Sequence, residues 1–463
     1  MNDPISPDDK PSLQKKTNIA KFSPGRVIIS SFLVVISLGT LLLKMPFAHN
    51  GAISLLDAFF TSASATCVTG LFTTPISSFS LAGHCVILAL IQIGGLGLMT
   101  MSFFLASIFL GKLGVAARAL ASEVLDFGTL GKMKTFLVLI VVTTFGIEFL
   151  GAIALFPHFN ALYTPGKAIF YAIFYAISAF CNAGITLSDA NLIGMENARF
   201  VLGVLGILVF AGGLGFAVIY ELLERVFAIF KRRSESQSPK RFSLHTRIVL
   251  STSIFLVLGG TTLTWLLEQG GTLANMGLWD SIENAFLHSV WLRSAGFFSV
   301  HIAALAPATI FVFIALMMIG ASPGSTGGGI KTTTFSLFIA TLNSTMHKKN
   351  VVEMGGRTIA QDQLNKAIAI VSLTFFWLIF STFIMLITEP GQSFLKILFE
   401  SASSLSTTGL SFGITPHLSG IGKLIIVTNM VAGRIGALTL ILALRKKRDK
   451  KTYRFPEERV LIS

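Results

Sequence analysis

Apolar and polar positions along this chain follow one arrangement, used four times. A span-length apolar run opens each unit, at about 27–43, 136–156, 248–267 and 367–387. A helix that crosses a membrane needs roughly 20 such residues. A shorter apolar stretch follows, at about 52–65, 168–180, 279–292 and 393–405. These stretches are too short to cross and predict re-entrant half-helices. A second long run closes each unit, at about 85–110, 200–220, 308–340 and 424–444. The pattern predicts helix, half-helix, loop, helix in each unit. The fold class expected is therefore an all-α polytopic membrane protein with eight transmembrane helices and four half-helices.

Each half-helix runs into a similar short sequence. Ala-Thr-Cys-Val-Thr-Gly-Leu stands at 65–71, Phe-Cys-Asn-Ala-Gly-Ile at 180–185, Arg-Ser-Ala-Gly-Phe at 293–297 and Ser-Thr-Thr-Gly-Leu-Ser at 406–411. Gly70, Gly184, Gly296 and Gly409 recur 114, 112 and 113 residues apart. Spacing that regular marks internal repeats. The units read as 26–116, 133–232, 246–346 and 366–446, with tails at 1–25 and 447–463.

Composition narrows the class further. The chain is 52% hydrophobic and 13% charged, against roughly 25% charged in soluble domains. A net charge of +14 raises the question of nucleic acid, but 28 of the 36 Lys and Arg sit in the two tails and the three connections between units. Two crossings per unit bring all of those to one side, the positive-inside signature of a cytoplasmic face. No basic stripe interleaves with stacking aromatics, so no nucleic-acid partner is expected; the surroundings implied are a lipid bilayer. The polar N-terminal tail does not read as a signal peptide. Three cysteines without paired spacing imply neither a disulfide framework nor a zinc site.

The loops after the half-helices carry the candidate chemistry: Val68-Thr69-Gly70, Asn182-Ala183-Gly184, Ser294-Ala295-Gly296 and Thr407-Thr408-Gly409. Four such loops around one axis would present backbone carbonyls able to replace a cation's hydration shell. Glycine permits the backbone angles that let successive carbonyls face one way, and each half-helix C-terminus adds partial negative charge. The side chains differ between loops and the glycine does not, which favours backbone ligands.

The second runs also share small residues. Gly94-Gly95-Leu96-Gly97 and Gly212-Gly213-Leu214-Gly215 predict close helix packing. The third unit departs with Gly320-Ala321-Ser322-Pro323-Gly324-Ser325-Thr326-Gly327-Gly328-Gly329-Ile330-Lys331. That stretch cannot hold a straight helix, so the third unit alone is expected to break its second span, beside a cavity or inside protein. It nearly matches a phosphate-binding loop, but Ile330 intrudes before Lys331 and no strand precedes it. Arg434 sits in the apolar second run of the fourth unit, where a charge costs about 2.5–3.5 kcal/mol on insertion scales and is usually functional. It either faces the pore and contacts the 320–331 loop, or snorkels to the interface. Lys331 either snorkels or anchors the loop's end. Arg293 is expected to brace the third loop. Asp57, Glu283 and Glu400 on the half-helices either attract cations or brace the loops, and Glu148 is a possible buried brace.

These motifs together resemble the Trk/Ktr/HKT superfamily of cation transporters, most closely its KtrB-type membrane subunits, over about residues 26–459. The resemblance implies four membrane–pore–membrane units in pseudo-fourfold order around one pore. It implies K⁺ as the permeant ion at the four loops, and the 320–331 loop with Arg434 as a gate. Some relatives that favour Na⁺ carry Ser where this chain has Gly70, which leans towards K⁺. The resemblance also implies a homodimer in the plasma membrane, seated on a cytosolic KtrA-like ring. ATP, ADP or another nucleotide belongs on that partner, and no cofactor on this chain. The tail at 453–459 is then a dimer or a regulator contact. The function expected is passive, gated K⁺ uptake rather than enzymatic turnover. A Na⁺-translocating relative is the near alternative. A coupled secondary transporter would call for inverted repeats and a buried ionisable cluster. A membrane enzyme would call for an acid–base or metal constellation, and His84, His158, His288 and His301 show no ligand spacing.

Overall fold

The computed structural model describes residues 24–109, 133–195, 198–230, 241–349 and 351–436. The expected tails beyond those bounds, the Ser- and charge-rich stretch at 232–240 that reads as a flexible linker and the tail contact at 453–459 lie outside the described residues. Helix α1 is Pro24–Lys44, α2 Leu55–Thr66 and α3 Leu81–Phe109. Helix α4 is Met133–Leu162, α5 Pro165–Phe180, α6 Arg199–Leu214 and α7 Phe216–Phe230. Helix α8 is Leu244–Glu268, α9 Leu278–Trp291, α10 Pro307–Met318 and α11 Thr332–Met346. Helix α12 is Gln361–Thr388, α13 Phe394–Leu405 and α14 Gly420–Ile435. The only strands among the described residues form a two-residue hairpin, Glu353–Met354 with Arg357–Thr358, turned by Gly355 and Gly356.

Local chemistry sets the helix starts. Ser54, Ser243 and Ser419 accept the backbone N–H of Asp57, Thr246 and Gly422, at 3.0, 3.2 and 3.1 Å, satisfying donors that have no partner inside the helix. Pro165 and Pro307 occupy first-turn positions, where the missing N–H is not needed. Val138–Leu162, Leu244–Glu268 and Gln361–Thr388 are long and apolar enough to cross a membrane. Their outer faces are apolar: Phe149, Phe255 and Ile379 are about two-thirds exposed or more, as lipid requires and water would not favour.

The four short helices α2, α5, α9 and α13 pack in a closed order. Each lies against the long helix that opens its own unit. Each also lies against a helix of the unit before it: α5 against α3, α9 against α6, α13 against α10, and α2 against α14. The last pairing joins the start of the chain to its end. Close approach needs glycine. A Cβ on Gly94, Gly212 or Gly433 would run into the carbonyl of Thr66, Phe180 or Leu405, at the end of a short helix.

The third unit breaks between α10 and α11, as its sequence requires. The second unit breaks as well, which corrects the expectation of a single broken span. Helices α6 and α7 bend by 107° at Gly215, where φ is +87°. The cause is tertiary. The Gly212 carbonyl accepts Thr326 N–H at 3.2 Å, and the Gly213 carbonyl accepts Ser322 N–H at 3.0 Å. The Phe216 N–H, which a continuing helix would aim at Gly212, donates instead to Gly324 O at 3.0 Å. The 320–331 loop thus takes over the hydrogen bonds that a straight helix would make. Gly94 and Gly95 of α3 lie against Thr66, Val68 and Cys181 instead of such a loop, and α3 runs on to Phe109.

Candidate ion-conducting site

The short helices end alike. Thr69, Ala183 and Thr408 N–H donate to the carbonyls of Ser64, Ser178 and Ser403, each at 2.8 Å. The hydroxyls of the same serines hold the loops beyond. Ser64 Oγ accepts Gly70 N–H and Ser403 Oγ accepts Gly409 N–H, both at 3.1 Å, while Ser178 Oγ accepts Ile185 N–H at 3.0 Å. The third loop differs because Val290 stands in the serine's place. Ala295 and Gly296 N–H share the Trp291 carbonyl instead, at 2.9 and 3.3 Å.

In all four loops the backbone visits the left-handed region twice, with one residue between. Val68, Asn182, Ser294 and Thr407 have φ of 56°, 60°, 69° and 50°, and Gly70, Gly184, Gly296 and Gly409 have 95°, 62°, 69° and 89°. A positive φ at β-branched Val68 and Thr407 is an outlier that costs about 1–3 kcal/mol and persists only where the surroundings enforce it. Alternation of this kind turns successive carbonyls to one side of the chain.

The loops close on one another through these glycines. A Cβ on Gly70 would strike Ala183 O, on Gly184 Ala295 O, on Gly296 Thr408 O, and on Gly409 Thr69 O. Each loop therefore presents the carbonyl before its glycine to the glycine of the loop before it, in chain order and round to the start. The Thr66 and Thr69 hydroxyls are buried here without a hydrogen-bond partner among the described residues. The Asn182 amide, by contrast, turns to the Val209 and Ala179 carbonyls at 3.1 and 3.2 Å.

The charged candidates occupy distinct places. Arg293 donates to Ser253 Oγ on α8 at 3.1 Å. Glu148 on α4 accepts Gln92 Nε2 at 3.1 and 3.2 Å and faces Cys181 Sγ at 3.7 Å, behind the second loop. Asp57 pairs with Lys423 of α14 at 2.8 Å. Burial pushes its carboxyl up, but bonds from Lys423 and Ser54 outweigh that and hold it below its ordinary value. Glu283 lies 3.8 Å from Arg199, on the exposed side. Glu400, fully buried, accepts the Ser411 hydroxyl, Phe412 N–H at 3.1 Å and the Thr415 hydroxyl at 3.1 Å. It clamps the segment leaving the fourth loop. Glu400→Ala leaves Phe412 N–H and at least one hydroxyl unmet, the Ser411 and Thr415 hydroxyls being 3.1 Å apart and able to satisfy only one donor between them, and each buried unmet donor costs about 1–3 kcal/mol. We expect a fall of several degrees in the unfolding midpoint in detergent, measured by thermal scanning, with Glu400→Gln losing less.

Beneath the third and fourth loops lies the 320–331 segment, closed at its base by Gly320 N–H to Ile330 O at 3.0 Å. Its bonds reach the second, third and fourth units, and Arg434 carries the connection on to the first. Thr326 Oγ1 donates to Phe180 O at 3.0 Å. Gly328 N–H donates to Ser294 Oγ at 2.8 Å, and Ser294 Oγ lies 3.1 Å from both Thr407 O and Thr407 Oγ1. Lys331 Nζ donates to Gly327 O at 2.6 Å. Arg434, almost wholly buried, donates through one guanidinium nitrogen to Thr326 O and through the other to Gly94 O. Ser322 is buried, Pro323 and Gly324 lean on the Gly215 bend, and the Ser325 hydroxyl donates to Ser322 O at 2.6 Å.

Two features were out of reach of sequence reasoning. The left-handed non-glycine positions carry no common residue type. Asn191 lies outside every motif, yet its amide contacts two loops at once: Nδ2 donates to Gly184 O and Gly296 O at 3.3 and 3.4 Å, and Oδ1 accepts Phe298 N–H at 3.3 Å. An Asn in a connection between helices, a residue type enriched in left-handed backbone, is the one sequence signal that could have raised it.

Comparison with known proteins agrees with this architecture. Residues 8–454 match the TrkH family, described as cation transport protein. The chain is 36% identical to the Ktr system potassium uptake protein B of Vibrio alginolyticus, covering 96% of each. It is 33% identical to the protein of the same name from Bacillus subtilis, covering 97% of this chain and 99% of that one. It is 32% identical to the potassium/sodium uptake protein NtpJ of Enterococcus hirae, covering 97% of this chain and all of that one. The crystal structure of the potassium transporter TrkH from Vibrio parahaemolyticus superposes with a TM-score of 0.73 over 94% of this chain and 87% of that one, at 18% identity. With matches of this length and identity, the chain belongs to the TrkH family of membrane cation transport proteins.

Proposed function

We propose that this chain takes up K⁺ across the plasma membrane by passive, gated conduction. The ion passes through the ring formed by residues 68–70, 182–184, 294–296 and 407–409, where backbone carbonyls replace its water. The single observation that carries this reading is the cyclic contact of each loop glycine with the next loop's carbonyl. It supports four units in pseudo-fourfold order about one axis, with the boundaries expected from sequence. Loop 320–331 and Arg434 form the gate, since the loop is bonded beneath the ring to the second, third and fourth units and Arg434 ties it to the first. Both termini are cytoplasmic. A homodimer sits on a cytosolic KtrA-like ring that binds the nucleotide.

In cells lacking their own K⁺ uptake, the chain should restore growth at low external K⁺, more strongly with a co-expressed KtrA-like subunit. Correctly inserted protein that moves no K⁺ in either setting would overturn the proposal. A second reading, Na⁺ transport by the same path, has support from the relative named for both potassium and sodium uptake. Paired K⁺ and Na⁺ flux in the same cells separates the two.

A further inference from the structure

Asn191 stands in the connection that leaves the second loop, in no helix and in none of the motifs. We infer that it sets the ion affinity of the outermost site, by occupying two of the four outermost carbonyls of the conduction ring. Its single amide nitrogen donates to Gly184 O and Gly296 O at 3.3 and 3.4 Å. The orientation of the amide is fixed by its other end, since Oδ1 accepts Phe298 N–H at 3.3 Å and a nitrogen there would face a second donor. The neighbouring Leu192 N–H donates to Phe298 O at 3.2 Å. Asn191 is thus held between the second and third units from both sides.

The consequence is an asymmetry in an otherwise repeated ring. Among the described residues, no side chain donates to Gly70 O or Gly409 O, whereas Gly184 O and Gly296 O each have a lone pair taken by Asn191. A cation at the outer edge competes with that amide on one half of the ring and meets no such competitor on the other. Asn191 therefore weakens the outermost site, which favours passage inward over retention, because conduction needs binding that is weak enough to leave. Asp189 ties the same connection to the first unit, accepting Ser77 N–H at 3.1 Å and its hydroxyl at 2.6 Å. The strut therefore has a fixed base.

This inference rests on reading the four loops as the ion path, and the test separates the two. Asn191→Gly keeps the left-handed backbone and removes the donor. Asn191→Asp keeps the shape and replaces the donor with an acceptor. Concentration dependence of K⁺ flux is measured in cells for both variants, alongside Gly296→Ser. For Asn191→Gly the half-saturating external K⁺ should fall about two- to tenfold, the range an ordinary hydrogen bond or two carries, without a rise in maximal flux. Asn191→Asp should fall at least as far. A half-saturation that is unchanged or raised in Asn191→Gly overturns the inference, and so does a fall confined to Asn191→Asp, which would report added charge alone. If Gly296→Ser also leaves ion preference untouched, the reading of the loops fails and the inference with it. If Gly296→Ser alters preference and Asn191→Gly changes nothing, only the role of Asn191 is lost.

Discussion

Arg434→Gln should raise K⁺ flux through the chain alone by about 10- to 100-fold. The guanidinium joins the loop at Thr326 O to the first unit at Gly94 O, a tie across the space below the ring. A hydrogen bond from a charged group contributes about 1.5–3 kcal/mol, and each 1.4 kcal/mol is tenfold in an equilibrium. Losing one such bond moves the balance between the seated and displaced loop by one to two powers of ten. The positive charge adds a barrier to cations, and glutamine removes it too. Among the described residues Arg434 Nε has no partner, so within them the charge is incompletely satisfied in a buried place, an arrangement that persists only where something else depends on it. Arg434→Lys keeps the charge and loses the fork, and its flux should lie between the two. Deleting residues 324–329 should match or exceed the glutamine variant. The measurement is K⁺ flux into proteoliposomes without a regulatory subunit. Unchanged flux in both the glutamine variant and the deletion would show that the loop is no barrier.

Gly70→Ser should lower the K⁺/Na⁺ permeability ratio by at least about tenfold. At φ +95° an L side chain carries a penalty of roughly 1–2 kcal/mol, and its Cβ runs into Ala183 O. That carbonyl belongs to the second loop, so the substitution displaces a ligand in a unit it does not belong to. A shift of a few tenths of an ångström in one carbonyl is enough to change which ion the ring fits. Gly203→Ala on α6, where a Cβ meets nothing within 4 Å, is the control. Bi-ionic flux measurements read the ratio, and an unaltered ratio in Gly70→Ser would remove these loops as the seat of ion preference.

Much of this was legible in the sequence because lipid simplifies the code. Every backbone polar group must be satisfied within the chain, so apolar length alone separates the long helices from the short ones. The boundaries of α2, α5, α9 and α13 follow from that. The repeated glycines could be counted, and the need for glycine at 70, 184, 296 and 409 follows from backbone chemistry. What sequence could not show depends on partners far along the chain. Gly212-Gly213-Leu214-Gly215 and Gly94-Gly95-Leu96-Gly97 look alike, yet only the first is broken. The difference is the loop 110 residues away that competes for its carbonyls. Val68 and Thr407 are poor residues for a left-handed backbone, and local propensity argues against the conformation that the assembled ring imposes. Lys331 was ambiguous between interface and loop until Gly327 O was placed at its ammonium.

The closed packing order has a consequence for how the chain is made. Helix α2 emerges early from the ribosome but rests on α14, and Asp57 waits for a lysine 366 residues further on. Gly409 likewise meets Thr69 only when nearly the whole chain exists. Contacts that distant delay folding, since the ends must be brought together before any of their energy is gained. Domains elsewhere fold one after another during synthesis, but here the first-made segment is the last to be finished. A nascent chain halted before α14 would leave its earliest polar loop, Thr66 to Gly70, with no wall in the bilayer. Quality-control proteases that recognise such an opening would therefore read, at residues 66 to 70, whether α14 had been made.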